Sequence, residues 1–419
     1  MQDPADIDFA LVSARPKAMA ALLRYFRDLD SAEEAFQEAC LRALQSWPKN
    51  GPPRDPAAWL ILVGRNAALD GKRRQQGHDA LTDTIADDAA SSWADRVDES
   101  DYRDDLLRLM FVCANPELPA TQQIALALRT VSGLSVDQIA RAFLVSASAM
   151  EQRITRAKRQ IAAAGIGFET PGAPERAARL NAVMSMIYLI FNEGYASTPD
   201  TAALRGMLAD EAIRLARLLL ALFPADPELM GLLALLLLQH SRAAARFDAD
   251  GQLVLLDDQD RRQWNRQMID EGQILLEKAQ RHRRAGSYQI QAAIAAMHAR
   301  AAHAAETSWQ EIDLLYQALE ALQPSAVVTL NRAVAVSKLH GAEAALKMIE
   351  PLAEKLSGYF YFHGLRGALL KQLDRADDAR DAFGRAIALA HSAAEANHIR
   401  QQLDQLTRES LAAENYFSN

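Results

Sequence analysis

The sequence predicts an all-α protein of several domains: two small helical units, the second containing a helix-turn-helix, followed by a large helical-repeat domain. Three observations lead there. The chain is rich in Ala, Leu and Arg and only 6% aromatic, with almost no Val/Ile/Thr alternation of the kind strands require. Apolar residues recur at helical spacing nearly from end to end. At 419 residues, half of them hydrophobic, the chain can bury more than one core, and roughly 100 to 200 residues per domain implies two to four units.

Charge and cysteine content narrow the function classes. A formal net charge of -8 is wrong for a protein coated in nucleic acid, so any DNA contact must come from local basic patches. Cys40 and Cys113 are far apart and belong to no CxxC or Cys/His cluster, which predicts neither disulfide nor zinc site and suits a reducing cytoplasm. The acidic start MQDPADIDFA is no secretory signal, and the run Leu232 to Leu238 falls far short of the ~20 residues of a membrane span. A soluble chain without membrane contact is expected.

The first unit covers 1–76, helical from about Phe9 and interrupted by the loop PKNGPPRDP at Pro48 to Pro56. In 77–101 acidic residues outnumber basic ones heavily: His78 to Asp101 holds eight acidic residues against one Arg, which reads as a flexible linker. The second unit spans 102–168, and a Pro/Gly connector within 169–180 leads to helices over 181–419. Late in that block LHGAEAALKMIEPL from Leu339 aligns with LDRADDARDAFGRAIAL from Leu373 at an offset of 34 residues. This is the TPR period, with small Ala345 and Ala379 where helices pack closely and bulky Ile349 and Phe383 to bury against the next repeat. Upstream the repeat fades.

The sharpest motif is LSVDQIARAFLVSASAMEQRITRAKRQI, Leu134 to Ile161. Ser135 with Gln138 forms a capping-box pattern, Phe143 to Ser146 makes a turn, and a second helix follows. Met150, Ile154, Ala157 and Ile161 share its inward face, leaving Ser148, Gln152, Thr155 and Arg159 outward. That outward face suits a recognition helix: Ser and Gln bond base edges, and Arg153, Arg156 and Arg159 bond phosphates or guanine. Five basic residues against two acidic ones give a local +3 between Ser135 and Gly165. A solvated basic helix in an ordinary bundle is the competing reading.

In the first unit, WLILVGRNAALDGKRRQQ from Trp59 places Trp59, Val63, Asn66, Asp70 and Arg73 on one helical stripe. Asn66 can bond a base edge or phosphate, while Arg65, Lys72, Arg73 and Arg74 hold a backbone. Trp59 either stacks on an unpaired base or belongs to the core beside Leu60, Ile61 and Leu62, and Asp70 either meets DNA or orients Arg73 or Arg74. On the preceding helix Glu33, Glu34, Gln37 and Glu38 form a polar, acidic patch, which alone reads as a solvated face.

In this order these segments resemble the extracytoplasmic-function sigma factors of the sigma-70 family. DLDSAEEAFQEACLRAL from Asp28 looks like the family's polymerase-docking helix, AAWLILVGRNAALDGKRR from Ala57 like its minus-ten helix, and the helix-turn-helix like its minus-thirty-five reader. The C-terminal block is similar to that of the subgroup with a fused TPR-like domain, through MIYLIFNEGYAS (Met186), LLDDQDRRQWN (Leu255), YQIQAAIAAMHA (Tyr288) and NRAVAV (Asn331). The resemblance implies no catalysis and no cofactor, with the β′ clamp and β flap of core RNA polymerase, promoter DNA, and a protein or peptide on the TPR-like domain as partners. The acidic patch suits the basic coiled coil of the clamp. Two departures limit the carry-over. Val112-Cys113-Ala114-Asn115-Pro116 stands where the subgroup often has Cys-Cys-His before proline, and Ala149 and Glu151 replace a hydroxyl and a basic or small residue in the reading helix.

Two other readings are open to the sequence: a TPR-type adaptor without sigma activity, against which the docking-like helix speaks, and an enzyme. FDADGQLVLLDDQD (Phe247 to Asp260) lacks the remaining ligands of an EF-hand and reads as a hairpin-like loop with solvated carboxylates, while His298 and His303 lie off one helical face.

Overall fold

The computed structural model describes residues 4–75, 99–143, 145–164, 173–195, 202–248, 252–390 and 393–417, and these are helical with connecting turns. The acidic linker, the start of the connector and Leu144 therefore fall largely or wholly outside the described residues, as does the tip of the DADG loop. The ends of that loop are joined by an antiparallel bridge between Phe247 and Leu253, the hairpin-like form expected. Among the described residues no helix is long and apolar enough to cross a membrane.

The chain divides into two compact units, Met1–Gly194 with Leu204–Leu222, and Tyr195–Ala203 with Phe223–Asn419. The first begins with α1 (Pro4–Phe26), α2 (Leu29–Asn50) and α3 (Pro56–Gln75). Arg27 at φ 55 breaks the chain after α1. Asp28 then caps α2 by accepting from the Ser31 N–H at 2.8 Å, and Gly51 at φ 81 closes it by donating to the Trp47 carbonyl. α2 buries Ala32, Phe36, Ala39, Ala43 and Trp47, and α3 crosses it so closely that a Cβ on Gly64 would lie 2.8 Å from the Ala35 carbonyl oxygen. Trp59 is buried edge-on to Trp47 with ring centroids 5.3 Å apart, so it is a core residue and not a base-stacking one.

Four further helices of this unit are α4 (Glu99–Cys113), α5 (Ala120–Thr130), α6 (Val136–Ala142) and α7 (Ala147–Ala163). The reciprocal capping box of Ser135 and Gln138 starts α6, and Ser146 caps α7 by accepting from the Ala149 N–H. α8 (Ala173–Tyr195) and α9 (Ala202–Leu222) complete the unit. Both lie largely within the 181–419 block of the sequence reading and group here with the first unit: α8 buries Val183, Met184, Ile187, Ile190 and Phe191, and Arg179 on it lies over the Phe111 ring of α4.

The second unit is a run of packed helices: α10 (Pro227–His240), α11 (Arg266–Arg281), α12 (Ser287–Arg300), α13 (Trp309–Leu322), α14 (Ala326–His340), α15 (Ala342–Ile349), α16 (Phe360–Gln372), α17 (Ala376–Leu389) and α18 (Ala393–Phe417). α10 is apolar all round and correspondingly buried all round. Downstream the repeat takes physical form: from Ala326 to Phe360 and from Ala342 to Ala376 the helix starts advance by the same 34 residues. Ala345, Ile349, Ala379 and Phe383 are all fully buried in one apolar cluster. Gly367 lets α17 approach α16, since a Cβ there would lie 2.5 Å from the Phe383 ring.

Candidate nucleic-acid and polymerase interface

α7 meets the requirement of a recognition helix. Its buried residues are Met150, Ile154, Ala157 and Ile161, the expected inward face, while Ser148, Gln152, Arg156 and Arg159 are exposed and Arg153 is half-buried. Each of α6 and α7 starts on its own hydroxyl cap, Ser135 and Ser146, so this polar face is presented on a short helix with a fixed first turn.

On α3, Asn66 is half-buried and the Arg65 guanidinium lies 4.4 Å from the centroid of the Tyr25 ring. The side chains of Lys72, Arg73 and Arg74, and of Asp70, lie outside the described residues.

On α2 the acidic patch needs one correction. Glu34 and Gln37 are exposed and Glu38 accepts from Arg42 Nε at 3.1 Å, but Glu33 is only 6% exposed and belongs to the interior. Its carboxylate is ion-paired through Oε1 to Arg129 Nη2 at 2.9 Å, and through Oε2 it accepts from Lys158 Nζ at 2.8 Å. Lys158 also donates to Asp30 Oδ1 at 2.7 Å. Burial works to lower the Lys158 pKa, but its hydrogen bonds to Asp30 and Glu33 outweigh that and raise it, so this cation is fixed at any physiological pH. The exposed face of α2 instead includes Leu41 and Leu44, 57% and 55% exposed. Both fall off the buried stripe of the helix, and that position was the sequence signal for them.

A second set of contacts joins the same halves. Arg15 of α1 donates from Nε to the Thr130 carbonyl at 3.3 Å and from Nη2 to the Arg129 carbonyl at 3.1 Å, with its guanidinium over the Phe36 ring. Burial lowers the Arg15 pKa, and Glu33 counteracts it. Gly133, at φ 76, sits so near that a Cβ would come within 2.6 Å of Arg15 Cδ. On α4, Asp105 is buried between Arg24 at 3.2 Å and Arg108 at 3.1 Å.

The cysteines offer no ready thiolate: burial pushes Cys113 up to about 12, and Cys40 to about 11 despite the opposing pull of Arg15. Among the described residues no group of His, Cys, Asp and Glu is arranged to hold a metal.

Comparison with known proteins agrees with this geometry. The family model for Sigma-70 region 2 matches residues 11–78, that for Sigma-70, region 4 matches 108–161, and a Family of unknown function (DUF6596) matches 179–280. Uncharacterized protein R00370 of Rhizobium meliloti (strain 1021) is 68% identical over 413 residues, covering 98% of both chains. Among solved structures, the yeast Tom70 crystal structure aligns over 96% of this chain and 85% of its own at 13% identity, with a TM-score of 0.37. With region 2 built on α1 to α3, region 4 on its capped helix-turn-helix, and a long helical block after them, the chain belongs with the sigma factors of the sigma-70 family.

Proposed function

We propose that this chain binds core RNA polymerase and directs it to promoters, with polymerase performing all nucleotidyl transfer. The observation that carries the reading is the exposed Ser148, Gln152, Arg156 and Arg159 face on a helix whose opposite face is fully buried. In this reading α7 enters the major groove of the minus-thirty-five element and region 4 rests on the β flap. Arg65, Asn66, Lys72, Arg73 and Arg74 on α3 engage the minus-ten element. Glu34, Gln37 and Glu38, with Leu41 and Leu44 beside them, meet the basic β′ clamp: charge steers the encounter and the leucines bury apolar area. The second unit serves as a regulatory or interaction module for a protein or peptide, and the site of action is the cytoplasm.

Run-off transcription with purified core polymerase on genomic promoters, including the protein's own, tests this. Specific products that require the chain are expected, and their absence on every promoter defeats the reading. Gln152→Ala should alter base preference within the minus-thirty-five element at roughly 1 to 3 kcal/mol. Arg156→Ala and Arg159→Ala should weaken all promoters together and flatten the salt dependence by about 0.9 per lost phosphate contact. A randomised-element footprint unchanged by Gln152→Ala would show that this face does not read bases.

A further inference from the structure

Between α10 and α11 the chain leaves the helical stack of the second unit and comes back, and the ends of this excursion meet where the Asn265 N–H donates to the Ser241 carbonyl at 2.8 Å. Its root is built in. Trp264 and Arg261 are 4% and 7% exposed, and Arg261 Nη1 donates to the His298 and Ala301 carbonyls at 2.7 and 2.5 Å, closing the end of α12. The outer part, a tongue over 252–258, is held differently. Leu253, Val254 and Leu256 are half-buried, and Asp257 Oδ2 accepts from Lys338 Nζ of α14 at 2.9 Å, with both side chains more than a third exposed. An exposed ion pair of this kind holds little.

The tongue lies across successive helices of the repeat. Lys338 belongs to α14, and on α18 the charge of Asp258 opposes the burial that lowers the His398 pKa. On α16 burial and Glu395 raise the Tyr361 pKa to about 12, against the pull of Arg246 at the foot of the tongue. α14, α16 and α18 start at Ala326, Phe360 and Ala393, about one repeat apart, so they are equivalent helices. Counted from those starts at 3.6 residues per turn, Lys338, Tyr361 and His398 fall within about a quarter turn of one another. They therefore line one side of the stack, and stacked helix pairs use such a side as an extended binding surface. Here that side already carries a short apolar run ending in two carboxylates.

We propose that residues 252–258 are a resident stand-in for a protein partner: this side of α14, α16 and α18 receives an extended segment of the same chemistry, apolar residues followed by paired carboxylates, and the segment enters by displacing the tongue. The proposal rests on the reading of the second unit as an interaction module and deepens it. Lys338 is the receiving cation, and it also lies 5.6 Å from the centroid of the Trp309 ring, a contact that does not depend on which carboxylate it meets. Arg261 and Trp264 keep the loop attached at its root while the exposed pair at Lys338 gives way. An incoming segment brings a carboxylate to the same cation, so Lys338 stays paired throughout. The tongue lowers the apparent affinity for such a segment by the fraction of molecules in which it is displaced, which keeps the site closed to weaker ligands.

A fluorescein-labelled synthetic peptide with the tongue's own sequence, residues 252–259, is the probe, titrated against the full chain. Asp257→Asn together with Asp258→Asn weakens the tongue and leaves the receiving side intact. This double variant should bind the peptide about three- to tenfold more tightly than wild type, and adding K338A to it should remove the gain. In wild type, saturating peptide should accelerate hydrogen exchange over 252–258. Circular dichroism checks that each variant keeps its fold. Equal affinity of wild type and double variant overturns the proposal, as does a gain that survives K338A or unchanged exchange over 252–258 with peptide bound. A control peptide with both aspartates replaced by asparagine should bind several-fold more weakly. If it binds as well as the acidic one, the second unit still takes peptides, so the module reading stands and the stand-in alone falls. If neither peptide binds any of these chains, the stand-in fails together with the peptide-module reading of the second unit.

Discussion

The joint between region 2 and region 4 and the joint between the last repeats, α15 to α17, are made of different materials. Region 4 is tied to region 2 by Glu33, Lys158, Arg129, Arg15 and the buried Asp105–Arg24 pair. α15, α16 and α17 are instead held by Ala345, Ile349, Ala379 and Phe383, fully buried and without polar partners to exchange. A charged joint can be dissolved by a competitor that brings the same charges. An apolar joint can only be opened by exposing its area to water, at about 25 cal/mol per Å². The first joint is therefore suited to change partners and the second to keep its shape.

The largest expected effect attacks the apolar side of this contrast. Phe383→Ala removes a ring wedged against Gly367, a position with no side chain to collapse into the space, and should cost about 3 to 5 kcal/mol. Hydrogen exchange over 360–389 should accelerate accordingly, equally at low and high salt. Exchange in α2 and α7 should not change. Salt-dependent loss in α16 and α17 would show that the last repeats are held by charge, as through Arg366 and Glu350, more than by apolar burial.

A smaller effect comes from placing a charge where the second unit excludes one. His298 is half-buried beside Trp309, and burial, aided by the positive charges of Arg242 and Arg261, lowers its pKa to about 4. Because the folded value lies below the unfolded one, its contribution is complete above about pH 6.5 and is lost as pH falls from there towards 4, by at most about 3 kcal/mol. Unfolding of the second unit followed across that window should show the loss. His298→Gln should flatten the profile, and a wild-type profile already flat would mean that His298 meets water.

What was legible in the sequence depended on the distance at which each feature is decided. The Ser135–Gln138 capping box and the inward Met150–Ile161 face are settled within one or two helical turns, and both are found as read. The 34-residue step is likewise local, because each repeat packs on its neighbour. Glu33 was placed in an exposed patch because its own helix offers no reason to bury it; the reason is Lys158, 125 residues later. Trp59 was ambiguous until Trp47, on the other side of a Pro/Gly loop, supplied its ring partner. For α8 and α9, amphipathic periodicity identifies helices that must be covered but not what covers them.

The smallest predicted effect separates the charged joint from the local devices that build region 4. Ser135→Ala removes the acceptor for the Gln138 N–H and leaves only the reciprocal bond from its own backbone N–H to Gln138 Oε1, at about 1 kcal/mol. α6 has only seven residues, so it has little else to hold its first turn. Amide exchange within 136–142 should quicken about fivefold. The joint itself draws on Lys158 of α7, which has its own cap at Ser146, and on Arg129 at the end of α5. Carbodiimide coupling of Lys158 Nζ to the Asp30 or Glu33 carboxylate, read by peptide mapping, should therefore proceed as readily in Ser135→Ala as in wild type. If that yield falls along with the α6 protection, the charged contacts depend on the integrity of the helix-turn-helix, and the joint is an extension of region 4 packing in place of an exchangeable tie.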